Sequence, residues 1–252
     1  MKAKFVSGAI RHLIFLGIFL GIWEYAAAAQ WVNPMFIGRP SGVASYLWHN
    51  LFQDTYIWKE LGWTLAGTFL SFVIGSLAAV VVGLLFVVWP QLEKFLDPYF
   101  TAINVMPRIA LAPLFILWFG LGLGSKIAVG VSLVFFIVLS NTVAGIRGVS
   151  QDHITLSKTL GTTPMQLFFL VTLPGAVPVI FSGLRLGLIF AMLGVVGTEI
   201  IASEHGLGQQ LALLGNLFDI NGVLGLLMVL SVLGVVITYS MTALESRLLK
   251  WQ

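Results

Sequence analysis

The sequence predicts an all-α membrane protein with six transmembrane helices and both termini in the cytosol. Three observations carry this reading. Of the 252 residues, 58% are hydrophobic and only 9% are charged, whereas a soluble domain is about 25% charged. So little polar surface cannot cover a water-soluble globule, and lipid is the expected solvent. Apolar runs recur at 13–29, 61–89, 99–119, 126–146, 183–202 and 222–243, most of them near the ~20 residues that a span needs. Finally, the cations are unevenly placed. With the N-terminus inside, the cytosolic segments hold Lys2, Lys4, Arg11, Lys94, Arg147, Lys158, Arg247 and Lys250, and the outer segments hold only Arg39, Lys59 and Lys126. Such an excess marks the cytosolic side; Arg108 and Arg185 lie within or at the edge of spans and are left out.

Residues 1–12 form a short basic lead. The run 13–29 ends in Ala26-Ala27-Ala28-Ala29, which a signal peptidase could accept, but a retained first span is expected, with Glu24 and Tyr25 near its outer end. Residues 30–60 are broken early by Pro34, Gly38, Pro40 and Gly42. Ser41 then reads as an N-cap, and Val43, Tyr46, Leu47, Asn50 and Leu51 recur at helical spacing, predicting an amphipathic surface helix. The second span, 61–89, carries Gly62, Gly67, Gly75 and Gly83; small residues let helices approach closely in lipid. A charged loop is expected over 91–98, holding Glu93, Lys94 and Asp97.

The third span, 99–119, contains Pro107, Pro113, Asn104 and Arg108. A Gly-rich turn over 120–125 leads to the fourth span, 126–146, with Ser140 and Asn141 near its end. A polar segment, 151–178, follows, with Gly161 and three prolines, Pro164, Pro174 and Pro178. Such a segment between two spans must sit in water or against another protein. The fifth span, 183–202, ends near Glu199. An amphipathic connection, 203–221, holds Glu204, His205, Gly206 and Gly208, and the sixth span, 222–243, leads to Glu245, Arg247 and Lys250. No internal repeat or low-complexity tract divides the chain, so 1–252 reads as one membrane domain.

The chain has no cysteine, which excludes disulfides, thiolate metal sites and cysteine nucleophiles. No basic cluster suits nucleic acid. His153 and His205 have no second ligand at metal spacing. No phosphate-binding Gly-Lys-Ser/Thr loop, Gly-x-Ser-x-Gly elbow or His-Glu-x-x-His occurs, so this chain is not expected to hydrolyse ATP itself or to act as an enzyme.

Gly161 is followed, after nine residues, by Val171-Thr172-Leu173-Pro174. This resembles the cytosolic signature of the membrane-spanning permease subunits of ATP-binding-cassette (ABC) importers. Their pattern is Glu-Ala-Ala, three residues, Gly, nine residues, Ile, one residue, Leu-Pro. Here Thr155-Leu156-Ser157 stands in place of Glu-Ala-Ala, and Val replaces Ile. Further blocks are similar to the nitrate, sulfonate and taurine branch. They are Ala112-Pro113-Leu114-Phe115-Ile116-Leu117-Trp118-Phe119-Gly120-Leu121-Gly122 with Ser125-Lys126; Phe135-Phe136, Asn141-Thr142 and Gly145; Leu173-Pro174-Gly175-Ala176-Val177-Pro178 with Gly183-Leu184-Arg185; and Glu199-Ile200-Ile201-Ala202 with Gly206-Leu207-Gly208.

The resemblance implies a type I importer permease. It would work as a dimer with a second permease copy, joined to two ABC ATPase subunits that bind ATP and Mg, and served by an extracytoplasmic solute-binding protein. No cofactor is implied in this chain. The cargo would be a small solute, an anion such as a sulfonate, taurine or nitrate; a neutral or aromatic nutrient is the alternative. The rival from another class is a membrane scaffold with no path.

Within that reading, Leu160, Gly161, Thr162, Thr163, Pro164 and Met165 are the residues expected to couple to the ATPase. Gly161 turns the chain between two short helices, a threonine caps the second and Pro164 opens it. Leu160, Met165, Leu167 and Phe168 offer apolar groups to a partner pocket; packing only on this domain is the other reading. Asn104, Arg108, Asn141 and Glu199 are candidates for the translocation path. Arg108 could attract an anion, pair with Glu199 or snorkel to the interface. Glu199 could gate the path, bind a docking protein or simply meet water. Asn104, Ser140 and Asn141 could equally make interhelical hydrogen bonds.

Overall fold

The computed structural model describes residues 2–31 and 33–248, without the side chains of 2–10, 13 and 34. Lys250 and the side chains of Lys2 and Lys4, counted above among the cytosolic cations, lie outside the described residues.

Helices account for nearly all of it. The first, α1 (Lys2–Ala28), is followed by α2 (Pro34–Ile37) and α3 (Pro40–Trp48), which runs into a π turn, His49–Gln53. Next come α4 (Tyr56–Val88) and α5 (Pro90–Val105), then a 3-10 turn, Arg108–Leu111, and α6 (Ala112–Phe119). After α7 (Leu123–Arg147), two short helices form an elbow, α8 (Gln151–Thr159) and α9 (Pro164–Leu167), which joins through a second π turn, Phe168–Thr172, to α10 (Leu173–Ile201). Then α11 (Leu207–Asn216) and α12 (Ile220–Leu248) close the chain.

By length and composition, four helical stretches can cross a membrane: Tyr56–Val88, Leu123–Arg147, Pro164–Ile201 and Ile220–Leu248. The pair Pro90–Val105 and Arg108–Phe119 makes a fifth if it counts as one span, though it bends by 85°. The apolar part of α1, Ile14–Ala28, is shorter. The expected first span, 13–29, therefore rests on a helix with less than the usual apolar length among the described residues.

The core is a three-helix layer of α4, α7 and α10. Ala79, Phe86, Val134, Val138, Leu139 and Ala191 meet there, all buried. Helices approach closely because small residues face each other. A Cβ on Gly130 of α7 would lie 2.5 Å from Cβ of Ser71 on α4, and one on Gly183 of α10 would lie 2.4 Å from Cβ of Asn141 on α7. In lipid this close packing, rather than escape from water, is what drives helices together. A second cluster, Ile57, Leu207, Leu226 and Leu230, joins α4, α11 and α12.

Three local expectations change. The segment 91–98 is not a loop: it is the first half of α5, with Pro90 at the helix start and Glu93 in the first turn. A proline there fixes a helical φ and loses only an N–H that has no intrahelical acceptor. Nor does Ser41 cap α3. Arg39 holds that position, and Ser41 donates from its N and Oγ to Glu24 of α1, at 3.0 and 2.8 Å. The third span is not straight over 99–119. Met106 and Pro107 are extended, because a residue before proline avoids the helical region and proline has no N–H to continue the ladder. Pro113 sits in the first turn of α6 and kinks nothing.

Candidate functional site: a groove, an elbow and a buried charge network

One face of α5 and one of α7, with Phe86 of α4, enclose an open groove of ≈ 330 Å³. Glu93, Asp97, Phe100, Thr101 and Asn104 come from α5 at helical spacing, and Phe136, Leu139, Ser140, Val143, Ala144 and Arg147 from α7. Arg147 and Glu93 form an ion pair across its mouth. Asn104 lies toward the far end.

Just past the break, Arg108 is buried, 7% exposed. Its Nη1 donates to the Ser132 carbonyl at 2.7 Å and its Nη2 to Asn104 Oδ1 at 3.2 Å. The guanidinium carbon lies 4.2 Å from the ring centre of Phe136. Among the described residues Arg108 enters no ion pair, and its Nε has no partner. A buried cation held only by neutral acceptors and a ring face keeps its positive field.

The pairing of Arg108 with Glu199, one of the alternatives above, does not form. Glu199, 1% exposed, accepts from Lys126 Nζ at 3.0 Å instead. Nor is Glu199 an acid meeting water. Its carboxylate also accepts from Thr64 Oγ1 at 2.9 Å and from the Gly208 N–H at 3.0 Å. Lys126, expected in an outer segment, is equally buried and donates further to the His205 carbonyl. Glu60, fully buried, accepts from the Gly206 N–H and meets His205 Nδ1 at 3.3 Å, while the His205 ring stacks on Trp63 at 5.0 Å. The network joins α4, α7, α10, the 202–206 loop and the start of α11 at the end of the molecule opposite the elbow. Sequence reasoning missed Glu60, Thr64 and Lys126 as members. The available signal was titratable residues recurring within one turn of the ends of apolar runs, where an ionised group needs a partner.

Asn141 is also placed away from the groove. Its Cβ faces Gly183 of α10, and its Nδ2 donates to the Ile137 carbonyl at 2.8 Å. Of the four path candidates, the structure brings Asn104 and Arg108 together beside the groove and sets Asn141 and Glu199 elsewhere.

The elbow follows its sequence closely. Ser150 caps α8 by accepting from the Asp152 N–H. Gly161 turns the chain at φ +80°, a left-handed conformation that glycine adopts without strain. Thr163 caps α9 in a reciprocal box: its Oγ1 accepts from the Gln166 N–H, and its own N–H donates to Gln166 Oε1. Pro164 is the first helical residue. Leu160 and Met165 are 77% and 68% exposed, with Leu167 and Phe168 partly covered. Thr162 Oγ1 donates back to the Ser157 carbonyl at 2.9 Å and closes the turn.

Residues 71–250 match the family described as binding-protein-dependent transport system inner membrane component. The taurine transport system permease protein TauC of Escherichia coli is 30% identical over 94% of this chain and 87% of its own length. The formylaminopyrimidine transport permease protein ThiX of Halalkalibacterium halodurans is 29% identical over 97% of this chain and 96% of its own. Among solved structures, an inward-facing conformation of the MetNI methionine ABC transporter superposes with a TM-score of 0.60 at 20% identity, covering 75% of this chain and 92% of that one. This last likeness speaks for the fold, which is that of type I ABC importer permeases. The chain belongs to the family of inner-membrane components of binding-protein-dependent transport systems, as a non-catalytic ABC importer permease of the branch its motifs resemble.

Proposed function

We propose that the chain forms the translocation path of an ATP-driven importer for a small anion of the sulfonate, taurine or nitrate class. Two copies would join two ABC ATPases, and a solute-binding protein would deliver cargo from outside. The elbow and both termini would lie in the cytosol, a reading that the cation excess supports. ATP closure of the ATPases would switch the path between its outward- and inward-open forms.

The observation that carries the anion reading is Arg108: a buried guanidinium beside the groove that pairs with no acid among the described residues. Such a charge usually marks a path or a binding partner. The taurine permease among the relatives supports the same class. A second reading, a neutral heterocyclic cargo, draws on the Phe86, Phe100 and Phe136 cluster at the groove wall and on the formylaminopyrimidine permease.

The test is uptake by proteoliposomes holding the whole complex. Arg108→Gln is expected to cut taurine uptake roughly tenfold to a hundredfold, the worth of a charge-assisted contact of about 1.5–3 kcal/mol. Unchanged taurine uptake, or uptake of formylaminopyrimidine alone, would favour the neutral cargo.

A further inference from the structure

The groove, the elbow and Arg108 are joined by one helix. Arg147 is the last residue of α7, and only Gly148 and Val149 separate it from Ser150, the cap of α8. Its Nη2 donates to Glu93 Oε2, in the first turn of α5. The other end of α5 carries Asn104, whose Oδ1 accepts from Arg108. Between them α5 stays helical, although Pro98 inside it lacks the N–H for one rung of the ladder, and eleven residues at ~1.5 Å each place Glu93 and Asn104 about 16 Å apart along its axis. Phe100, midway, packs on Phe86, Phe135 and Phe136 with ring centres 5.6, 5.9 and 5.6 Å away. Ring packing of this kind lets a helix slide or rock without breaking a hydrogen bond. Beyond Val105 the backbone breaks at Met106 and Pro107, so α5 is free of a rigid continuation at that end.

We propose that the Glu93–Arg147 ion pair is a tie rod. It makes α5 follow the elbow, so that movement of α8 reaches Asn104 and, through it, the Arg108 guanidinium. Glu93 and Arg147 are thus positioning residues, neither of which needs to touch the cargo. The proposal rests on the importer reading for what moves the elbow. It differs from that reading in making one ion pair the link. The Arg147 side chain is half-exposed and that of Glu93 mostly covered, so the pair can be removed without burying a lone charge deep in the core. Val149, buried against Ala176 and Ile180, anchors the short connection between Arg147 and α8, which keeps it from absorbing the movement.

The chain has no native cysteine, so E93C/R147C introduces the permease's only two thiols. In the reconstituted complex with its ATPases and binding protein, this variant without cross-linker should give at least tenfold less solute uptake per ATP hydrolysed. A short bis-maleimide bridging the two thiols should restore most of the loss, because a covalent link replaces the ionic one. The charge-swapped E93R/R147E should likewise outperform either single change. A bridge that forms without restoring coupling, or an unbridged variant with the native ratio, overturns the proposal. A second readout does not depend on cargo. Maleimide labelling of T101C, on the groove wall, should change with ATP and vanadate in the native background and lose that response with E93Q. An unaltered response in E93Q refutes the tie rod. Absence of uptake by the native complex would instead refute the importer reading.

Discussion

Lys126 Nζ and Glu199 Oε1 meet at 3.0 Å where neither residue reaches solvent, 73 positions apart in the chain. Thr64 Oγ1 and the Gly208 N–H also donate to that carboxylate, and Lys126 also donates to the His205 carbonyl. Three long helices and the loop that leaves α10 are thereby fastened at one point. A buried pair with its remaining hydrogen bonds satisfied is strongly destabilised by loss of one partner, by about 3–5 kcal/mol, yet tolerates joint replacement by apolar groups. Lys126→Met or Glu199→Leu alone should therefore lower the unfolding temperature of the purified permease sharply. The double variant should recover most of that loss. Strictly additive losses would show that the two side chains are not coupled.

Glu60 fixes the 202–206 loop from α4, through the Gly206 N–H and His205. Glu60→Ala leaves a buried N–H unpaired, at about 1–3 kcal/mol. Amide exchange at Gly206 and Leu207 should quicken by an order of magnitude or more. His205→Phe, which keeps a ring against Trp63, should have the smaller effect. Equal exchange in all three proteins would remove Glu60 from this role.

Gly130 lies between α4 and α10, and an added Cβ would come within 2.5 Å of Ser71 Cβ. Gly130→Val should lower stability by at least the ~1–3 kcal/mol of an overpacked core. Gly62→Ala, inside α4 where an added Cβ meets nothing within 4 Å, should keep stability or raise it by up to about 1 kcal/mol. The comparison needs only the two melting curves, and matched curves would show the core layer to be looser than described.

At the elbow, nothing lies within 4 Å of a Cβ built on Gly161. Any effect of Gly161→Ala is then one of backbone conformation, about 1–2 kcal/mol for a left-handed residue with a side chain. Gly161→Asn should be milder, since asparagine tolerates that region. Thr163→Ala, which removes the cap of α9, should cost about 1 kcal/mol locally. Protease sensitivity of the elbow in the intact protein is the readout. Indifference to all three changes would mean that the turn is not held by these groups.

How much of this was legible in the sequence depends on the range of the interaction. The elbow was, because a left-handed glycine, a threonine cap and an N-terminal proline act within a few residues of each other. The apolar runs that became α4, α7, α10 and α12 were too, since length and hydropathy are local sums. The identity of the acid partners was not. Lys126 looked like an outer-loop cation because it opens an apolar run, and only the approach of α10 shows that Glu199 buries it. Arg108 and Glu199 were natural partners by charge and depth, but the break at Met106 and Pro107 turns Arg108 toward Ser132 and Phe136. The same difficulty hid the first half of α5: its charges at Glu93, Lys94 and Asp97 read as a loop, whereas they are the polar end of a helix whose inner face lines the groove.

In the proposed importer, the exposed elbow receives the drive for transport. The most direct test is solute-stimulated ATP hydrolysis by the reconstituted complex carrying Leu160→Glu or Gly161→Arg. Leu160 is 77% exposed, so its replacement should leave the permease folded. The account predicts that stimulation and uptake are lost while the spans still assemble. Stimulation and uptake at native levels in both variants would contradict it.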